Sequence, residues 1–236
     1  MIYMCKTEKE KYIFNADNYW NNSQVVDSFS NATVKDYIKD FFEQYDPINN
    51  IKVADLGCGA GRYTIWLAQN GFDVYACDAS IGMLNRTKEG LKKIRYQNIE
   101  EKVVHSRLEK LPFDDEIFDI VLTNGVIHNA YTVEEFFQCL KECMRVLKQD
   151  GILYLSVFTS DTIDEGLEKI DKHVYLTPDG LRMVLFSKEE IIRTLRDKNY
   201  KVLDVCDLYD IQVETGVRSL FRATYQKKLL VNVRGE

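Results

Sequence analysis

Ile51-Lys52-Val53-Ala54-Asp55-Leu56-Gly57-Cys58-Gly59-Ala60-Gly61-Arg62 runs from a short apolar strand, through an acid, into alternating glycines. Tyr63 to Gln69 continues as a helix, and Asn70-Gly71 stops it. A strand, an acid, glycines and a helix start bring a ligand close to the backbone. Glycine has no side chain to block the approach and tolerates unusual dihedrals. Glycines at 57, 59 and 61 spell GxGxG, whereas the dinucleotide fingerprint is GxGxxG. No Lys-Ser or Lys-Thr pair follows the loop, which argues against a phosphate-cradling loop.

Working outward, strands and helices alternate. Phe72–Cys77 reads as a strand, 80–94 as a helix capped by Ser80, and 103–105 as a short strand. A strand over 118–123 and a helix over 132–147 capped by Thr132 follow, then the almost wholly apolar strand Ile152–Phe158. Residues 188–198 read as a helix, and 201–207 and 220–226 as strands. Such alternation predicts an α/β fold: a doubly wound, mostly parallel sheet with helices on both faces. Upstream, residues 24–45 show three- and four-residue apolar steps and read as one helix closed by Pro47. Residues 1–22 carry Tyr12, Phe14, Tyr19 and Trp20 at irregular spacing.

One domain is expected over the 236 residues. It divides into a cap segment and helix (1–46), a core (51–158), a candidate lid (159–187), and a helix with a hairpin (188–236). Long unassigned loops inside compact domains are usually functional, hence the lid. A formal net charge of -6 argues against a nucleic-acid partner, whose affinity draws on basic faces. The six cysteines form no CxxC pair and suit a reducing cytoplasm. No apolar run approaches the ~20 residues of a membrane span, and 1–14 does not read as a signal peptide.

The run Asp55-x-Gly57-x-Gly59-x-Gly61 resembles the first motif of the class I S-adenosylmethionine-dependent methyltransferases of small-molecule type. The resemblance covers about residues 51–158. It implies a seven-stranded sheet with an antiparallel C-terminal strand, and the short connection between 207 and 220 suits a hairpin. It also implies S-adenosyl-L-methionine as cofactor, its methionine part on Gly57, Gly59 and Gly61. Asp78 stands 21 residues beyond Gly57, near the ~20-residue offset of a ribose-binding acid. Ala79 and Met83 belong to the stretch that packs on adenine in the family. Leu111-Pro112-Phe113 matches a further motif, but Arg107 stands where the family often has an adenine-binding Asp. The backbone of Arg107 and Leu108 is then expected to serve instead. Asn124 closes the fourth strand, where ligands of open sheets collect, and Tyr19 is expected to close over the cofactor.

Methyl transfer needs alignment more than a fixed catalytic set, so the catalytic residues are less legible. His128 and Tyr131, just past the fourth strand, are candidates for base or substrate anchor, against plain structural roles. His173 in the lid is a further candidate. None has metal-ligand spacing, so no metal is expected. The function read here is methylation of a small-molecule acceptor. Its rivals are a catalytically silent cofactor-binding module and an NAD(P)-dependent oxidoreductase, and the sequence leaves the oligomeric state open.

Overall fold

A computed structural model describes residues 7–197, 200–213 and 216–228. Strands β1 (Lys52–Leu56), β2 (Asp73–Asp78), β3 (Val103–His105), β4 (Phe118–Asn124) and β5 (Leu147–Ile163) run parallel. Three short strands, β6 (Glu168–Lys169), β7 (Val174–Leu176) and β8 (Arg182–Val184), form a separate antiparallel sheet. The chain closes with β9 (Tyr200–Val213) and β10 (Gly216–Lys227), an antiparallel pair. The main sheet has seven strands in the order β3-β2-β1-β4-β5-β10-β9. β10 inserts antiparallel beside β5, as expected.

Eight α-helices accompany the strands among the described residues: α1 (Glu8–Trp20), α2 (Ser23–Ser30), α3 (Asp36–Glu43), α4 (Arg62–Gln69), α5 (Ile81–Lys93), α6 (Ile99–Lys102), α7 (Val133–Val146) and α8 (Lys188–Asp197). Successive strand residues point to opposite faces, and the core divides accordingly. Val53, Val74, Ile120, Leu122 and Tyr154 pack under Ile38 and Phe42 of α3 and Tyr63 and Leu67 of α4. Ala54, Leu56, Val121, Leu153 and Leu155 pack on the other side, beneath Phe136 and Leu140 of α7 and Ile191 and Leu195 of α8.

Three elements differ from expectation. Residues 24–45 form two helices, because Asn31 caps α2 through its N–H to the Asp27 and Phe29 carbonyls. The halves serve different places: Val26 packs with Ala60 and Met83, while Ile38 and Phe42 enter the sheet core. Residues 8–20 are helical. Thr7 and Glu10 form a reciprocal capping box, and Tyr12, Ala16, Tyr19 and Trp20 share one face. Residues 159–187 are not a bare loop but hold the end of β5 and the small sheet. The expected helix end at Lys198 lies outside the described residues.

Candidate active site

β1 pairs with β2 on one side and β4 on the other, so the strand order reverses direction at β1. Ligand clefts of open α/β sheets lie at such a switch point, beyond the carboxyl ends of the strands. A cleft lies there, with about 1000 Å³ of space counted out to its open mouth.

The glycine loop forms its floor. Gly57 and Cys58 donate their N–H groups to the Cys77 carbonyl at 2.8 and 3.0 Å, tying the loop to the end of β2. Gly57 and Gly59 have φ of +75° and +55°, a region costly for residues with a Cβ. A Cβ on Gly57 would collide with the Val126 side chain, so the β4 turn packs directly on the loop. Asp78 draws the opposite wall inward: one carboxylate oxygen accepts from Gly59 N and the other from Ser80 N, both at 2.8 Å. Burial raises its pKa, partly offset by these amide donors. Each oxygen keeps acceptor capacity beyond its amide.

Gly57, Gly59, Asp78, Ala79 and Met83 all line the cleft, as do Arg107 and Leu108 further along and Asn124 at the end of β4. The residues fit the nucleoside and methionine parts of S-adenosylmethionine. They provide a glycine cradle free of side chains, a half-buried carboxylate and an apolar wall of Met83 and Leu108. A Cβ on Gly125, which also lines the cleft, would meet nothing within 4 Å.

Residues 54–155 match a family described as a methyltransferase domain. An uncharacterized methyltransferase of Synechocystis is 36% identical over 104 residues, 44% of this chain and 45% of that protein. The ubiquinone biosynthesis O-methyltransferase of Pelagibacter ubique is 28% identical over 160 residues, 64% of each chain. This chain thus spans about half to just under two thirds of these two relatives. In structure it resembles the 1,6-didemethyltoxoflavin-N1-methyltransferase of Burkholderia thailandensis, solved with 1,6-didemethyltoxoflavin and S-adenosylhomocysteine. The TM-score is 0.66 at 18% identity, covering 97% of this chain and 93% of the other. Residues 54–155 are thus similar to a methyltransferase domain, and the fold is shared with that neighbour.

Several expected residues of this site sit differently from the sequence reading. Asp55 is 2% exposed and absent from the cleft lining. It accepts a 2.6 Å hydrogen bond from the Thr64 hydroxyl and so pins α4 to β1, and burial pushes its pKa up to about 6. Gly61 also misses the cleft: with φ +85°, its missing Cβ makes room for Thr87, 2.8 Å away, where α4 meets α5. Tyr19 does not line the cleft. Asp17 and Trp20 of the same helix do, less than one turn away, as does Tyr12 two turns earlier.

His128 is 1% exposed, and its Nδ1 accepts the Phe158 N–H at 3.1 Å while its ring packs on Phe158. Burial, with Arg218 nearby, lowers its pKa to about 3. With Nδ1 occupied, the neutral ring carries its proton on Nε2. A group so held fixes the β4 turn to β5 and does not suit a general base. Tyr131 stays outside the cleft, stacked on Tyr12 at 4.9 Å and under the Arg182 guanidinium at 4.0 Å. It fastens α1 to the small sheet. His173 stacks on Phe186, 4.3 Å between centroids. Among the described residues no group of three His, Cys, Asp or Glu side chains could hold a metal ion.

Sequence reasoning put the N-terminal segment over the cofactor through Tyr19 but missed that it is a helix and that Tyr12, Asp17 and Trp20 line the cleft. Its periodicity and the Thr7-x-x-Glu10 cap were the available signals. Arg107 lines the cleft, its Nε 3.4 Å from Glu109.

Proposed function

We propose that this chain transfers the methyl group of S-adenosylmethionine to a small-molecule acceptor. The observation that carries the reading is Asp78 at the end of β2, bonded to the glycine loop and exposed to the same cleft. When bound, the sulfonium supplies an activated methyl group. The protein's task is then alignment, for which orientation can contribute on the order of 7–11 kcal/mol in the best cases. Gly57 and Gly59 let the methionine part approach the backbone, while Asp78 takes the ribose hydroxyls. Met83 and Leu108 flank the adenine, with Arg107 standing where an adenine-binding acid is common. Helix α1 lines the cleft through Tyr12, Asp17 and Trp20.

The didemethyltoxoflavin N1-methyltransferase supports a small acceptor, because it combines this fold with a small heterocycle and S-adenosylhomocysteine. Cytoplasmic residence belongs to the same reading and is supported by four free, buried thiols, Cys58, Cys77, Cys139 and Cys143. No helix among the described residues is long and apolar enough to cross a membrane. Cys5 lies outside the described residues.

Calorimetric titration with S-adenosylhomocysteine, with NADH as control, tests the proposal. Micromolar binding of the first alone is the expected result. Binding of NADH alone would put an oxidoreductase in its place.

A further inference from the structure

We propose that the cleft takes a 6-oxopurine nucleoside about as readily as a 6-aminopurine one, because the Arg107–Glu109 pair reads the edge of the base. The inference rests on the methyl-transfer reading above, with the ribose on Asp78. The strand order β3-β2-β1-β4 lays the cleft out as a line. Asn124 ends β4, Gly57 follows β1, Asp78 ends β2, and Arg107, Leu108 and Glu109 come just past β3. The Asp78 carbonyl accepts from Ser106 N at 3.1 Å, which holds this last segment beside the ribose acid.

A nucleoside pinned at Asp78 points its base one way along this line and its amino-acid chain the other. The glycine side suits the flexible chain. The β3 side supplies Met83 and Leu108, both buried, for a flat ring. Positions 1 and 6 of a purine lie on the edge remote from the ribose bond, so this edge faces Arg107 and Glu109. Both charges act inside the cleft. Burial raises the pKa of the Cys139 thiol, which lines it; Glu109 adds to the rise and Arg107 opposes it. Burial likewise raises the Tyr12 hydroxyl, and Arg107 again opposes the shift.

Among the described residues the Arg107 guanidinium has one polar partner, Glu109, whose Oε1 accepts from Nε at 3.4 Å. The two terminal nitrogens of Arg107 and the second carboxylate oxygen of Glu109 are left for a ligand. The pair therefore presents donors beside an acceptor. Adenine offers an acceptor at N1 and a donor at N6, whereas hypoxanthine offers an acceptor at O6 and a donor at N1. Arg107 can donate to N1 while Glu109 accepts from the amine. It can equally donate to O6 while Glu109 accepts from N1–H. The two pairings differ by one atom along the edge, a shift within reach of an arginine side chain that is 42% exposed. Carboxylates at both positions would accept from the amine but would face O6 with no proton to share. With arginine at 107 that discrimination is lost.

Two probes test this without an acceptor: S-adenosylhomocysteine and S-inosylhomocysteine, in which oxygen replaces the amine and N1 carries a hydrogen. Calorimetry on the full chain should give affinities within about threefold of one another. Arg107→Asp should prefer S-adenosylhomocysteine by ~10-fold or more, as one unmatched polar contact at the base predicts. Arg107→Gln, uncharged but still able to donate and accept, should keep the two within about threefold.

Two outcomes overturn the inference: a larger wild-type preference for either ligand, or a ratio in Arg107→Asp that stays at the wild-type value. Equal weakening of both ligands in that variant is the second case, and it would make Arg107 a remote charge that does not touch the base. Failure of both ligands to bind the wild type is a separate result and removes the methyl-transfer reading itself.

Discussion

Asp78 answers two demands with one carboxylate. It holds the glycine loop through Gly59 N and the start of α5 through Ser80 N, and its remaining acceptor capacity faces the cleft. Asp78→Ala should therefore lower S-adenosylhomocysteine affinity by roughly 10- to 100-fold, since each 1.4 kcal/mol is a decade. Calorimetry on the folded variant checks this, and unchanged affinity would refute the ribose assignment. His128 belongs to a different class of residue. Its Nδ1 partners a buried backbone N–H, and leaving such a group unsatisfied costs about 1–3 kcal/mol. His128→Ala should lose roughly that much in urea denaturation while keeping its cofactor affinity. Burial holds the wild-type imidazole neutral above about pH 3. The rate–pH profile of the wild type should accordingly show no limb near an ordinary histidine pKa, and such a limb that vanished in the variant would restore the base role.

At the scale of elements, two glycines of similar dihedral do different work. Gly61 and Gly125 have φ of +85° and +77°, so a side chain strains both, by about 1 kcal/mol or more. Only Gly61 also meets a neighbour: a Cβ there would lie 3.0 Å from the Thr87 backbone, between α4 and α5. Gly61→Ala should thus destabilise the fold clearly more than Gly125→Ala, and a smaller or equal loss in thermal melts would refute the packing argument. Helix α1 is a cover held at one end by the Lys9–Glu135 ion pair and the Tyr12–Tyr131–Arg182 stack. At its other end Asn21 Oδ1 accepts from Gly82 N at 2.8 Å. Arg182→Ala loosens the first fastening, worth about 0.5–2 kcal/mol for a cation over an aromatic ring. Stopped-flow should then show S-adenosylhomocysteine leaving several-fold faster, and an unchanged off-rate would mean α1 does not gate release.

For the whole molecule, pH dependence reports on the buried start of the glycine loop. Asp55 has a native pKa of about 6 against an ordinary 3.8. The native state therefore holds this proton more tightly than the unfolded chain, and the stability it confers is present below pH 3.8 and lost as pH rises through 6. Asp55→Asn keeps an acceptor for Thr64 and removes the titration. Its stability relative to wild type should rise by up to about 3 kcal/mol between pH 4 and 7, measured by urea unfolding at both ends. A flat difference would show that Asp55 titrates normally.

The alternation of strands and helices, the parallel core, the closing hairpin, and the glycine loop with Asp78 were all legible in the chain. Each rests on local signals: residue periodicity, caps, and glycines at fixed offsets from an acid. Residues 1–22 and 24–45 were read less well, because helices that cover separate patches are divided by tertiary packing rather than by their apolar steps. Neighbouring side chains at the site also escaped the sequence, since adjacent strand residues face opposite sides of a sheet. Spacing placed Asp55, His128 and Tyr131 near the cleft, but only the packed structure turned their side chains away from it. The same packing sets the Asn124 amide at the end of β4, because the Tyr63 hydroxyl takes its Nδ2.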